Sequence, residues 1–428
     1  MGKRKRWIGF VLCLVLLGSW GIAQGEDEIR IGVIAPMTGV FASFGKFSKE
    51  GAILAFEEVN YKAAGKPVKA FFEDSQGQVE VMVTKMRALV ERDKVHAIVG
   101  PVLGHEGIAA ADWGKGTGVP ILVAVSGPED VTMRKRSFSV IRPGWSGGQT
   151  MFAFGEYAAK ELKWKRIVMI GQDYAYPHNQ CGAFIKGFCN AGGKEVIKIW
   201  HPVGQTDYSS ILATLPKDID GALLLSGGSD VVSFIKQWHD FGFAQKYKLL
   251  GGGSVYDGTI LQELGKKAIG GLSTLHYAES LTTPQFLKFK NAYVKRWKDQ
   301  PAFPSDGYYA SVMWALKGAE AVKGKVESRE AYIKAMRALK WNDAPRGPMS
   351  LDEFGNPIQN VYLREVAEVG GELTNKVLKT FSNVSQFGPF VDDPEGYMAM
   401  AGDARDYPPG ECEACMKEMK KYMTKHKW

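Results

Sequence analysis

Two short segments of this sequence place glycine beside hydroxyl or imidazole side chains, in positions suited to binding an anion. In PVLGHEG a strand-like run gives way to a helix-like run, so Gly104 and His105 can present backbone N–H groups to a ligand. In AVSGPED, at the end of the next strand-like run, Ser126 can add its hydroxyl and its own N–H. Such donors favour a carboxylate. The same patterns also fit a turn glycine at Gly104, a helix N-cap at Ser126 and a solvated imidazole at His105.

A third glycine-rich segment, GWSGG, matches the G-x-S-x-G pattern of serine hydrolases, with Ser146 as the nucleophile. No HGG-type oxyanion segment precedes it, and Trp145 would crowd the tight turn that the pattern requires. The sequence also has no H-E-x-x-H, no G-x-x-x-x-G-K and no Cys/His cluster with metal-ligand spacing. We therefore predict a protein that is not an enzyme and has no cofactor or metal, and keep a hydrolase using Ser146 as an alternative.

The first 25 residues have the pattern of a cleaved secretory signal peptide. A basic run from Lys3 to Arg6 precedes an apolar stretch from Trp7 to Trp20, and small residues around Ala23 follow. The apolar stretch is shorter than the roughly 20 residues of a membrane-spanning helix, which argues against an uncleaved anchor. Removing residues 1–25 lowers the net charge from +8 to +4. We predict a periplasmic protein that binds no nucleic acid, because this charge is small and scattered.

Four cysteines follow the predicted signal peptide. Cys181 and Cys189 lie in a helix-like segment, where eight residues of rise separate them by about 12 Å, too far for a disulfide. We predict that both are small buried side chains. Cys412 and Cys415 form C-E-A-C, which is half of a zinc site, and in an oxidising compartment a local disulfide between them is favoured over metal or redox chemistry.

Short β-rich runs alternate with amphipathic stretches from Glu28 onward, in two series separated by SVIRPGWSGGQT. This alternation predicts parallel sheets covered by helices on both faces. Three helical stretches follow, at residues 284–298, 306–323 and 328–339, and then a turn-rich passage leads into a strand. From Phe381 to Trp428 the sequence shows little regular pattern, and we predict a tail packed over the surface.

The order of these elements resembles that of the periplasmic branched-chain amino-acid (leucine/isoleucine/valine) binding proteins of ABC transporters. The motifs that carry the resemblance are IRIGVIAPMTGVFASFG, IVGPVLG, GVPILVAVSGPED, GQDYAYP and RGPMSLDEFGNP. It implies an α/β, two-lobed type I periplasmic-binding fold, in which each lobe is a parallel sheet flanked by helices and three crossings join the lobes. It places the N-lobe at residues 26–144 plus 279–345, the C-lobe at 145–278 plus 346–380, and a tail at 381–428.

The resemblance also assigns roles in a ligand cleft between the lobes. It implies that Gly104 and Ser126 contact a ligand carboxylate and that the carbonyl of Ala124 accepts a hydrogen bond from a ligand ammonium. Tyr176, in DYAYP, matches a tyrosine that closes over the ligand, and Phe44 stands where a tyrosine is common. Both rings also fit ordinary core positions.

The largest departure from the family pattern is Gly253, in the loop GGGS. Members that hold an α-amino group offer a carboxylate there, and a buried ammonium needs a charged partner. Either Asp230 or Asp257 supplies that charge, or the ligand has no ammonium.

The function implied by the resemblance is capture of a branched-chain or other apolar amino acid, or a related small carboxylate. The receptor would act as a monomer and deliver its ligand to an ABC permease in the inner membrane. Two alternatives remain open at this point: a receptor for an aromatic or aliphatic acid without an amino group, and a ligand-sensing regulatory protein of the same fold.

Overall fold

The computed structural model describes Gly2 and residues 28–402 and 404–428. Apart from Gly2, the predicted signal peptide lies outside the described residues. In the part of the chain that is described, no helix has both the length and the apolar character needed to cross a membrane.

A six-stranded sheet and six helices build the first lobe. Its strands are β1 Ile29–Ala35, β2 Lys62–Ala63, β3 Lys66–Asp74, β4 Ala97–Val99, β5 Ile121–Leu122 and β6 Val140–Ile141. Its helices are α1 Ala42–Glu58, α2 Val79–Glu91, α3 Gly104–Thr117, α9 Pro284–Trp297, α10 Phe303–Ala321 and α11 Arg329–Ala338. The strand order is β2-β3-β1-β4-β5-β6, and every pair except β2 with β3 is parallel. The central strands are apolar on both faces because helices cover both.

A nine-stranded sheet forms the second lobe. Its strands are β7 Arg166–Gln172, β8 Glu195–His201, β9 Gly221–Leu225, β10 Leu249–Gly251, β11 Leu272–Leu275, β12 Lys340–Trp341, β13 Met349–Leu351, β14 Pro357–Val369 and β15 Glu372–Val384. Its helices are α4 Gly147–Lys160, α5 Ala175–Asn190, α6 Ser209–Ala213, α7 Ser229–Asp240, α8 Leu261–Leu264, α12 Pro394–Ala399 and α13 Cys412–Tyr422. The order is β12-β13-β14-β11-β10-β9-β7-β8, with β15 paired to β14. Strands β7 to β11 are parallel and the added strands are antiparallel.

The chain passes between the two sheets three times: between β6 and α4, between β11 and α9, and between α11 and β12. A fully buried arginine just after the third passage, Arg346, bonds to the first passage. Its Nη1 lies 2.5 Å from Asp306 Oδ2 on α10, and its Nη2 donates to the carbonyl of Gly144 at 3.0 Å. Its Nε donates to Gln359 Oε1 at 3.0 Å on β14. One side chain thus joins the first crossing to both lobes.

Residues after Phe381 are more regular than the sequence indicated, and the prediction of a patternless tail is wrong. Strand β15 continues to Val384, and helices α12 and α13 follow. Apolar side chains of this segment pack into the core of the second lobe, among them those of Phe390, Tyr397 and Met419. The amphipathic stripe of α13 was hidden in the sequence by the surrounding lysines and prolines.

The predicted Cys412–Cys415 disulfide is also wrong. Cys412 is bonded to Cys189, with the two Cα atoms 5.0 Å apart, and Cys181 and Cys415 are buried free thiols. The helical separation of Cys181 from Cys189 does prevent their pairing, as expected. The bridge fixes the start of α13 against the end of α5, a contact between residues 223 positions apart in sequence.

Candidate functional site

A small cavity lies between the lobes, beyond the carboxyl ends of the parallel strands β4, β5, β7 and β10. It is lined by residues of both lobes: Phe44, Val102, Leu103, Gly104, Val125, Gly127, Trp145, Tyr174, Tyr176, Ser254 and Phe303. The space open to the centre of a water molecule is about 20 Å³, enough for one water. The lobes are therefore closed on each other, and a ring-sized ligand requires them to part.

A larger cavity of about 290 Å³ forms the mouth of this cleft. Tyr174 lines both cavities and separates them. Val40 of the first lobe and Val203 of the second face this outer space and are each partly exposed. Apolar groups of both lobes thus border this outer cavity.

Five of the eleven residues that line the inner cavity are aromatic. The ring centroid of Trp145 lies 5.7 Å from that of Tyr176 and 5.8 Å from that of Phe303, both in edge-to-face geometry. Phe44 packs against Phe303 at 5.8 Å, also edge to face. The indole Nε1 of Trp145 donates to the carbonyl of Val125 at 2.7 Å, which fixes the ring. In the closed structure these rings pack on one another, and a flat apolar ligand would have to insert between them.

Four helices begin at this cavity. Helix α3 begins at Gly104 and α10 at Phe303, both lining residues, while α5 begins at Ala175, between two lining tyrosines. Helix α4 begins at Gly147, two residues after Trp145. A helix N-terminus carries a partial positive charge. The first N–H of α4 donates to the carbonyl of Gly127 at 2.8 Å, and that of α10 lies 3.4 Å from Asp257 Oδ2. The convergence of the helix N-termini on one apolar cavity favours an anionic ligand.

A chain of hydrogen bonds runs from the cavity into the second lobe. Tyr176 Oη lies 3.2 Å from Ser254 Oγ, which donates to the carbonyl of Ser226 at 2.7 Å. Burial raises the pKa of Tyr176, and this effect outweighs the lowering by the hydroxyl and backbone N–H of Ser254. The phenol is therefore protonated at neutral pH.

Four of the residues singled out from the sequence lie along the cleft. Phe44, Gly104 and Tyr176 line the inner cavity. His105 instead borders the outer cavity, where its Nε2 lies 3.0 Å from the carbonyl oxygen of Gly77. Close packing explains why residue 104 is glycine, because a Cβ added there would lie 2.9 Å from the backbone nitrogen of Tyr176.

Ser126 and Ala124 are buried beside the cavity and do not line it. The backbone N–H of Ser126 donates to Pro101 at 3.3 Å, and its Oγ, which has no hydrogen-bond partner, packs against Gly107. The carbonyl oxygen of Ala124 would lie 2.2 Å from a Cβ added to Gly144, so it faces the first crossing. Neither group meets the inner space in this closed structure.

The structure gives a steric reason for Gly253. A Cβ at this position would lie 2.4 Å from the side chain of Leu275, and its carbonyl accepts from Arg364 Nη2 at 2.6 Å. A carboxylate side chain cannot occupy this site without displacing the core. The next residue, Ser254, is the one that reaches the cavity.

The two carboxylates considered as ammonium partners are engaged elsewhere. Asp230 Oδ2 accepts from Gln172 Nε2 at 2.7 Å and from the backbone N–H of Gly204 at 2.8 Å. Asp257 accepts from the backbone N–H groups of Thr259 at 2.9 Å and Phe303 at 3.4 Å. Within the described part of the chain, no acidic side chain lines the inner cavity.

Sequence reasoning missed part of this wall. Trp145, Phe303 and Tyr174 received no role in ligand binding. A signal for Phe303 was present, since the prolines around it mark a helix start. Ser146, the hydrolase candidate, is the N-cap residue of α4, and its hydroxyl is buried without a hydrogen-bond partner.

Comparisons with known proteins agree with this fold. The sequence model of the periplasmic binding protein family matches residues 28–372. Leu/Ile/Val-binding protein homolog 6 of Brucella melitensis is 30% identical over 385 residues, which cover 86% of this chain and 96% of the relative.

Two crystal structures of ABC-transporter solute-binding proteins are similar over 84% of this chain and 99% of theirs. The protein of Rhodopseudomonas palustris HaA2, in complex with p-hydroxybenzoic acid, is 29% identical with a TM-score of 0.79. That of R. palustris BisB5, in complex with 3,4-dihydroxybenzoic acid, is 27% identical with a TM-score of 0.80. The chain therefore belongs to the periplasmic binding protein family and is a substrate-binding protein of an ABC transporter.

Proposed function

We propose that this protein binds an aromatic carboxylic acid in the interlobe cavity and delivers it from the periplasm to an ABC permease. One observation carries the proposal: the cavity combines aromatic walls with the N-termini of α3, α5 and α10, and no carboxylate of the described residues lines it. Aromatic rings complement a planar apolar ligand, and the helix N-termini complement its negative charge.

An amino-acid ligand fits these groups less well. Its ammonium would lose hydration in the closed cavity and needs a carboxylate or several acceptors in return. Asp230 and Asp257 are held by other donors, and the carbonyl of Gly253 is held by Arg364. The names of the Brucella relatives favour leucine, isoleucine or valine, whereas the ligands of the two Rhodopseudomonas structures favour aromatic acids.

Closure around the ligand supports delivery to a permease. The cavity is lined from both lobes, with Phe44 and Phe303 on one side and Tyr176 and Ser254 on the other. A ligand that contacts both lobes stabilises a form in which they close on it, and this form must be wider than the present one, whose cavity of about 20 Å³ admits one water. A permease that recognises the closed form would then accept ligand only from a receptor that has bound it.

A thermal-shift and calorimetry screen tests the proposal. Benzoate, phenylacetate, leucine, isoleucine and valine are each titrated into the mature chain. We expect the aromatic acids to raise the Tm, since ligand at about 100 times its Kd stabilises the native state by about 2.7 kcal/mol. Stabilisation by the three amino acids and not by any aromatic acid would refute the proposal.

A further inference from the structure

We infer that the ligand carries a hydrogen-bond donor on its ring, such as a phenolic hydroxyl, and that the chain Tyr176–Ser254–Ser226 selects for it. This inference rests on the proposed function and narrows the substrate class to ring-hydroxylated aromatic acids. The inference depends on the direction of the hydrogen bonds that link Tyr176, Ser254 and Ser226, and on an unpaired amide beside Tyr176.

The direction of the hydrogen bonds is fixed by the carbonyl at their end. Ser226 offers a carbonyl oxygen, which has no hydrogen, so Ser254 Oγ must donate in their 2.7 Å contact. A serine hydroxyl has one hydrogen. Ser254 therefore accepts in its 3.2 Å contact with Tyr176, and Tyr176 is the donor.

This direction determines what Tyr176 can do in the cavity. Its only hydroxyl hydrogen points to Ser254, so toward a ligand its oxygen can only accept. Because burial raises the pKa of the phenol, it does not become a phenolate at neutral pH. A ligand group placed against this oxygen is favoured when it donates, as a phenol or an aromatic amine does, and disfavoured when it can only accept.

A second unsatisfied polar group lies close to Tyr176. Gln180 is fully buried, and neither its amide nitrogen nor its amide oxygen has a hydrogen-bond partner. It lies one helical turn after Tyr176 on α5, and a Cβ added to Gly147 would lie 3.3 Å from Gln180 Cγ and 3.4 Å from Tyr176 Cδ2. The two side chains are therefore neighbours.

The Gln180 amide also abuts the loop that carries Ser254. A Cβ added to Gly252 would lie 2.4 Å from Gln180 Oε1. An unpaired buried amide is costly, and native structures rarely retain one without a ligand or water to satisfy it. Gln180 does not itself line the inner cavity, so its amide is a buried unpaired group beside Tyr176 and the loop of Ser254.

Isothermal titration calorimetry with a series of substituted benzoates tests this inference. The ligands are benzoate, 3- and 4-hydroxybenzoate, 4-aminobenzoate and 4-formylbenzoate. The formyl group of the last can only accept hydrogen bonds. We expect at least one hydroxybenzoate to bind roughly tenfold more tightly than benzoate, the size of one good hydrogen bond. We expect 4-formylbenzoate to bind more weakly than benzoate.

Variants of the hydrogen-bonded residues test which of them causes the preference for hydroxybenzoates. In Tyr176→Phe the acceptor is lost, and the ratio of benzoate Kd to hydroxybenzoate Kd should fall to about 1. In Ser254→Ala the phenol is free to donate, so 4-formylbenzoate should gain affinity relative to wild type. Tyr256→Phe is the matched control, because Tyr256 is buried in the same lobe, bonds to the carbonyl of Leu249 and does not line the cavity. It should keep the wild-type ratio.

The outcomes separate this inference from the proposed function. If benzoate and both hydroxybenzoates bind with equal affinity, or if Tyr176→Phe keeps the preference, the inference is overturned and aromatic-acid binding stands. If no aromatic acid binds while leucine does, the proposed function itself fails. Should Tyr176→Phe not fold, the wild-type series and Ser254→Ala still decide the question.

Discussion

The disulfide between Cys189 and Cys412 gives the sharpest test of the tertiary structure. It closes a loop with a sequence separation of 223 residues, and the chain-entropy relation assigns about 5 kcal/mol to a loop of that length. Over roughly 400 residues the entropy of unfolding converts this to about 6 °C in Tm. Cys412→Ser should therefore lower the Tm by up to this amount, because the unfolded chain regains the freedom that the bridge removes.

Differential scanning calorimetry with and without reductant measures the effect. Reductant should lower the Tm of the wild type and leave that of Cys412→Ser unchanged. Cys415→Ser, which alters a buried free thiol of the same helix, is the control and should keep its sensitivity to reductant. A non-reduced peptide map that joined Cys412 to Cys415, or a Cys412→Ser protein as stable as the wild type, would contradict the structure.

Three further predictions concern the cleft and the crossings. Burial and a neighbouring carboxylate raise the pKa of Asp257 to about 7. Because the pKa of Asp257 is higher in the folded than in the unfolded state, this group stabilises the folded state at low pH, and the stabilisation is lost as pH rises from about 4 to 7. Urea unfolding across this range should show the free energy of unfolding fall in the wild type and change less in Asp257→Asn. Arg346→Met leaves Asp306 buried without its cation and should cost roughly 3 kcal/mol in urea unfolding, with part recovered in Arg346→Met/Asp306→Asn; no recovery would argue against the pair. Trp145→Ala removes a cavity wall and should weaken benzoate at least tenfold by calorimetry, about 1.4 kcal/mol, and an unchanged Kd would place the ligand elsewhere.

Much of the fold follows from local patterns in the sequence. The helices α9 to α11 lie near the bounds predicted for them, because apolar periodicity and helix-start signals act over a few residues. The tail shows the limit of this reasoning. The apolar stripe of α13 spans only Cys412, Cys415 and Met419, and only the neighbouring α5 shows that this stripe is core.

The sequence by itself determined the class of protein: alternating strands and helices, a family pattern along the chain, and a glycine where a carboxylate was expected. Tertiary structure decided the rest. It paired Cys412 with Cys189, placed Trp145 in the cavity wall and brought Tyr176 to Ser254. These contacts join residues far apart in the chain, so their geometry depends on how the sheets and crossings pack, which no local pattern encodes.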